Sequence, residues 1–307
     1  MSRPPPRVSI GLPVYNGEPY LAQALDSLQA QTFGDFELII CDNASTDCTG
    51  EIARSYAAAD SRIRYVKNDR NLGWIRNFIR SFELSSGEYF RWHAADDLSA
   101  PECQERCVQA LDREPTVVLA YPRTRFIDAR GRRLAEPDDG LDLQSPRASR
   151  RFREIVTRLG HTNLQYGLMR AAAVRRTRML GLYPASDMVF LAELTLYGRF
   201  WEVPEFLFYR RFHPGASSSM NRMQLQMFYD PIHPDRMWIR EWRHLGEYLR
   251  AAWRAPLGSR ERLLLHLFLT RLAIGKRGKL ARELLGAARY VLTGRRPAPT
   301  PGTVKGA

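Results

Sequence analysis

Asp96 and Asp97 are adjacent carboxylates placed just after the apolar run Glu88-Tyr89-Phe90-Arg91-Trp92. Two such groups at a strand end repel one another, and a divalent cation or strong hydrogen-bond donors would relieve the cost. Hard oxygen ligands suit Mg²⁺ or Mn²⁺, which in turn hold phosphate oxygens. The competing reading is that Asp97 caps the helix near Pro101. A second cluster, Asp42-Asn43-Ala44-Ser45-Thr46-Asp47, follows another apolar run. A carboxylate after a parallel strand is placed for the base or ribose of a nucleotide, whereas Ser45, Thr46 and Asp47 read as a turn and helix cap. The first turn, Gly11-Leu12-Pro13-Val14-Tyr15-Asn16-Gly17, is not a GxGxxG loop, and a Walker loop is also absent. A metal is then the natural holder of phosphates. Cys41, Cys48, Cys103 and Cys107 give no CxxC pair; Cys103 and Cys107, one helical turn apart, could be a ligand pair but read as small buried residues.

These groups need elements to position them. Val8–Val14, Phe36–Cys41, Ile63–Val66, Glu88–Trp92 and Val117–Tyr121 read as five strands. Helical patterns separate them: one with Tyr20, Leu21, Ala24, Leu25 and Leu28, then Asp47–Ala59, Asn71–Leu84 and one starting at Pro101. Such alternation predicts a mainly parallel sheet covered on both faces. Ligands bind beyond the carboxyl ends of strands in such sheets. Tyr15-Asn16, Asp42-Asn43 and Asp96-Asp97 all fall at those ends. The second half is less regular. Phe126–Arg132 reads as a hairpin, residues 136–150 as a mobile loop, and Arg151–Leu159 and Asp187–Tyr197 as helices. Phe200–Val203 and Phe206–Tyr209 read as strands. Beyond Gln224 the chain turns helical, with Trp238, Trp242, Leu245, Tyr248 and Leu249 on one stripe.

The chain has 307 residues with a formal net charge of +13, and its 44% apolar content is that of a globular protein. From Arg250 to Ala307 there are 13 Lys and Arg against 2 Asp and Glu, so most of the excess lies at one end. Such a block suggests an anionic surface as partner. Leu263, Leu264, Leu267, Phe268, Leu272 and Ile274, with Arg260, Arg262, Arg271, Lys276, Arg277 and Lys279 around them, fit an interfacial amphipathic helix. No recognised nucleic-acid reader motif is present, so no specific nucleic acid is expected. No uninterrupted apolar run reaches the ~18 residues of a spanning helix, and Met1–Arg7 lacks the apolar core of a secretory signal. The expected location is cytoplasmic, peripheral at the inner face of the membrane.

In order and spacing, Val8–Gly17, Ser27-Leu28-Gln29-Ala30-Gln31-Thr32, Glu37–Asp47, Asn71-Leu72-Gly73, Gly87-Glu88-Tyr89 and Asp96-Asp97 resemble the family 2 glycosyltransferases of GT-A fold. The likeness is dense over about residues 7–130 and thinner to about 220. It implies an α/β, Rossmann-like, mainly parallel sheet flanked by helices, here with a helical basic C-terminal extension. It implies a nucleotide-sugar-binding half at 7–130 and an acceptor-binding half at 131–223. A flexible N-terminus (1–6), a helical basic region (224–294) and a disordered tail (295–307) complete the expected organisation.

The resemblance also implies roles. Pro13, Tyr15, Asn16, Asp42 and Asn43 would hold the nucleoside, with Arg76 as a basic residue near the nucleotide. Asp96 would reach the ribose or sugar, and Asp97 would bind the Mg²⁺ or Mn²⁺ that bridges the diphosphate. His213 is a further metal candidate, and Arg210 or Arg211 could serve the diphosphate instead. Relatives read Asp-x-Asp-Asp where this chain has Ala94-Ala95-Asp96-Asp97, so the first acid is missing. Asp187, after Ser186, would be the general base of an inverting transfer to a hydroxyl acceptor. The expected partners are a nucleoside-diphosphate sugar and a glycan or lipid-linked acceptor, in assembly of cell-surface polysaccharide, lipopolysaccharide or glycolipid. The alternative is a non-catalytic relative that binds nucleotide sugars or membranes as a scaffold.

Overall fold

The computed structural model describes residues 4–216, 220, 222–233 and 239–293. Trp238 and the tail from 295 lie outside the described residues, as do 217–219 of the His213 loop. The strands are β1 (Val8–Val14), β2 (Phe36–Asp42), β3 (Ile63–Lys67), β4 (Tyr89–Trp92), β5 (Leu98–Ser99), β6 (Val117–Ile127), β7 (Arg133–Ala135), β8 (Leu168–Arg170) and β9 (Arg199–Arg211). The helices are α1 (Leu21–Gln29), α2 (Thr49–Ala59), α3 (Trp74–Glu83), α4 (Cys103–Arg113), α5 (Ala148–Arg158), α6 (Ala171–Val174), α7 (Ser186–Leu194), α8 (Arg222–Tyr229), α9 (Arg240–Arg254), α10 (Ser259–Gly275) and α11 (Arg277–Thr293).

All nine strands form one sheet in the order β3-β2-β1-β4-β8-β6-β9-β5, with β7 on β6. β3, β2, β1 and β4 are parallel, and β8 runs antiparallel to β4 and β6. β1 is buried at every residue, as a central strand with helices on both faces must be. Val8, Ile10 and Leu12 pack with Leu21, Leu25 and Leu28 of α1 and with Cys103, Cys107 and Leu111 of α4. On the other face Phe90 and Trp92 of β4 pack with Phe78 and Phe82 of α3, Phe152 of α5 and Phe190 of α7. The Trp92 indole N–H donates to the Phe78 carbonyl at 2.9 Å, which locks α3 to the strand that leads into Asp96.

Some expected boundaries move. The two predicted strands at 200–209 are one irregular strand, β9, parallel to β6. α2 starts after Cys48, and Asp47 accepts the N–H groups of Thr49, its first residue, and of Glu18. The 136–147 segment is held down: Leu143 is buried in the core, and Asp139 accepts the His161 backbone N–H. The α9 stripe is also rotated from the expected one. Glu241, His244, Tyr248, Ala251 and Ala252 face inward, whereas Trp242 and Leu249 are exposed. Ion pairs and hydrogen bonds of Glu241 with Lys276 and Glu283 substitute for apolar contacts there.

Candidate functional site

Three loops leave the carboxyl ends of β1, β2 and β4 side by side. Asn16 knits the first two together: its backbone N–H donates to Ser45 Oγ, and its side-chain oxygen accepts the Thr46 N–H. Asn16 sits at φ 50°, a left-handed conformation that Asn tolerates well. The loops border a cleft of about 800 Å³. Pro13, Tyr15, Asn16 and Asn43 line it, as do Asp96, Asp97, Arg210 and His213.

Asp97 is 3% exposed, yet its carboxylate faces a like charge. Burial, and then the neighbouring Asp96, raise its pKa well above the ordinary carboxylate range. One oxygen accepts the Arg211 backbone N–H at 2.8 Å. The His213 Nε2–H donates to Asp96 at 2.9 Å, and the imidazole packs against Tyr20. The Arg211 guanidinium is fully engaged, donating to the carbonyls of Asp96 and Ala129 and to Gln23, and it lies over the Tyr20 ring. Arg211 therefore fixes the turn rather than waiting for a ligand. Arg210 remains on the cleft wall, where it donates to Asn163.

Beneath the turn lies a second layer. His93 is completely buried, and desolvation lowers its pKa to about 3. Its Nδ1–H donates to the Ala94 carbonyl and its Nε2 accepts from Ser99, so it is a neutral strut. Buried Arg91 donates to Ser99 and to the Cys103 sulfur. Cys103 and Cys107 are both free and buried.

The far wall belongs to α3 and α8. Trp74 stacks on Phe228 with ring centres 5.7 Å apart, and Met227 and Gln224 complete that side. Gly73 makes this approach feasible. Its φ is +84°, and a Cβ there would meet Pro231 at 2.6 Å. Arg76 Nη1 holds Asp230 at 3.0 Å, and the Asp230 carboxylate is fully buried. That charge pair lowers the Asp230 pKa against the opposing effect of burial.

A family model described as glycosyl transferase family 2 matches residues 9–177, more than half of the chain. The chain belongs to glycosyl transferase family 2. EpsE of Bacillus subtilis is 37% identical over 109 residues, which cover 35% of this chain and 39% of EpsE. An uncharacterized glycosyltransferase of Methanocaldococcus jannaschii is 32% identical over 133 residues, 43% of this chain and 46% of that protein. The chain thus spans less than half the length of these curated relatives. Staphylococcus aureus TarS 1–349, in complex with UDP-GlcNAc, superposes with a TM-score of 0.64 at 18% identity, over 91% of this chain and 79% of that one. The Pyrobaculum calidifontis mannosyltransferase PcManGT, in complex with GDP-Man and Mn²⁺, gives 0.52 at 16% identity, over 95% and 88%. The fold is the GT-A fold expected from the sequence motifs.

Within this family 2 chain, the structure gathers Pro13, Tyr15, Asn16, Asn43, Asp96, Asp97 and His213 around one cleft. Asp42, Arg76 and Asp187 are not among the residues that line it. Asp42 is fully buried behind the loops, where its two oxygens accept from the Ser45 N–H and the Tyr65 hydroxyl. Arg76 donates to Asp230 and to the Leu72 carbonyl. Asp187 opens α7 beside Tyr229, whose buried phenol is raised by desolvation and then by the Asp187 charge. Residues the motifs did not flag also line the cleft: Trp74, Asn77, Tyr166 and Phe228. Asn77 had a signal, since a buried amide on an otherwise apolar helix face needs partners. It donates to the Cys41 carbonyl and accepts from Asn68, which in turn bonds Asn43.

Carboxylates and an imidazole are the ligand types that hard divalent cations accept. Asp96, Asp97 and His213 line the same cleft, with His213 bonded to Asp96 and Asp97 buried beside it. Among the described residues no group of three or more His, Cys, Asp or Glu is placed so that it could hold a metal ion by itself. Mg²⁺-type sites commonly use one or two carboxylates and leave the rest to substrate phosphates and water.

Proposed function

We propose that this chain is an inverting glycosyltransferase that moves a sugar from a nucleoside-diphosphate donor to a hydroxyl acceptor. The observation that carries the reading is the Asp96–Asp97 pair with His213, set at the carboxyl end of parallel strands in a cleft shared with the Pro13–Gly17 loop. The donors held by TarS and PcManGT support the same donor class.

In this reading Pro13, Tyr15, Asn16 and Asn43 hold the nucleoside, while Asp42 sets the turn that presents Asn43. Asp96 reaches the ribose or sugar. Asp97, with His213, would hold Mg²⁺ or Mn²⁺, which when bound supplies positive charge against the departing diphosphate. Arg210 supplies a further positive charge from the opposite strand. Asp187 accepts the acceptor's proton. A helix N-terminus favours negative charge there, and inversion requires a base on the side opposite the leaving group. The acceptor oxygen bonds to the anomeric carbon as the bond to the diphosphate breaks. Phe228 and Trp74 close this side and exclude water.

The acceptor we favour is a cell-surface or lipid-linked glycan assembled at the inner face of a membrane. Ala94, in place of an acid, favours a second reading: a non-catalytic scaffold that binds nucleotide sugars. Incubation with UDP-, GDP-, TDP- and CDP-sugars and Mn²⁺, scored by diphosphate release, separates the two. Release from one donor that needs Asp187 supports the transferase. Binding without release from any donor supports the scaffold.

A further inference from the structure

α10 and α11 dock on the catalytic domain through one side only. Leu265 and Leu269 of α10 enter the core shared with α5 and α9, and Leu280 of α11 is buried near α9. Phe268 and Leu272 also pack against that core, while other apolar residues face outward. Leu263, Leu267 and Ile274 share one stripe of α10 at 100° per residue, and all three are exposed. Leu284, Leu285, Val291 and Leu292 do the same on α11, the last three being 71%, 79% and 83% exposed. Exposed leucines scattered singly are ordinary, but two consecutive helices with unpartnered apolar stripes are not.

The charges are sorted as well. Glu261 and Glu283 are the only acids of the two helices, and both turn inward. Glu261 accepts the Ser149 backbone N–H, and Glu283 accepts that of Glu241. Among the described residues, Arg260, Arg271, Arg277, Lys279, Arg282 and Arg289 form no ion pair with an acid. Arg260 and Arg271 fall on the exposed stripe of α10 itself, at 100° per residue. Among the described residues no helix is long and apolar enough to cross a membrane.

We infer that α10 and α11 form a lipid-docking face that seats the enzyme on an anionic bilayer surface, leucines in the acyl boundary and cations at the headgroups. A second copy of the chain fits this face poorly, since a two-fold contact would oppose its unpaired cations to themselves. Anionic lipid satisfies both features at once, and each cation near such a surface strengthens binding. The inference is independent of the transferase reading.

The test is co-sedimentation of the full chain with vesicles of phosphatidylcholine alone, or mixed with phosphatidylglycerol. Binding to the mixed vesicles only, weakened by salt, is expected. Replacing Leu285→Asp together with Leu292→Asp should weaken it about a hundredfold. Arg277→Glu with Lys279→Glu should weaken it about tenfold or more. Both pairs are at the surface, so unchanged thermal melting is the control for folding. No binding at low salt, or equal binding to neutral vesicles, overturns the proposal. So does concentration-dependent dimerisation that the leucine pair abolishes while vesicle binding persists.

Discussion

Asp97 and Asp230 are both buried carboxylates, one on each side of the cleft, and they live in opposite electrostatic worlds. Asp230 meets the Arg76 guanidinium at 3.0 Å, and its pKa falls. Asp97 meets Asp96, and its pKa rises. Burial alone therefore does not set a carboxylate's pKa; the charge beside it decides the direction. Asp230 completes its pair within the fold and fastens α8 to α3. Asp97 is buried beside a like charge, which disfavours its ionised form.

Four outcomes would break or sharpen that contrast. The largest is turnover. Asp97→Ala should lower kcat about a thousandfold, because it removes charge stabilisation where the diphosphate leaves; steady-state assays with the accepted donor would reveal a smaller loss. Next, Asp187→Asn should lower kcat about a hundredfold or more, as loss of a general base does, with donor affinity retained. Equal loss of donor binding would move Asp187 from base to binding residue.

The third concerns stability. Asp230→Ala should cost about 3 kcal/mol, since it strands Arg76 and opens a buried pair, whereas Asp97→Asn should leave cation-free protein unchanged or stabler. Denaturant melts of both variants decide it, and matching losses would erase the distinction. The smallest effect is on pH. Asp230, with its lowered pKa, stabilises the fold above the ordinary carboxylate range, and that support is lost as pH falls through the folded value. Asp97, with its raised pKa, works the other way. Cation-free protein loses stability as pH rises from the ordinary carboxylate range through the folded value. Melting temperatures across pH, for wild type, Asp97→Asn and Asp230→Asn, should show these opposite slopes.

Much of the donor side is written locally. β1, β2 and β4 are short apolar runs, each followed at once by its polar cluster, so strand ends and site residues are adjacent in sequence. Tyr15, Asn43 and Asp97 are legible for that reason. The far wall is not local. Arg76 finds Asp230 from 154 residues away, and no spacing rule links them. The same holds for Trp74 and Phe228, whose contact depends on Gly73 yielding room to Pro231. Arg211 shows a third limit. Its type suits a diphosphate, but its fork is consumed by carbonyls of the turn beside Asp97 and of the 128–129 turn. Residue type announces what a group could bind, and only the folded neighbours decide whether it is still available.

The most direct test of the central claim is calorimetric titration of UDP, GDP, TDP and CDP, with and without Mn²⁺, into wild type and Asp97→Asn. The account predicts that one diphosphate binds wild type strongly only with the cation, and that the substitution removes this dependence together with the affinity. Binding that ignores both the cation and the substitution, or no binding of any nucleotide, would contradict it.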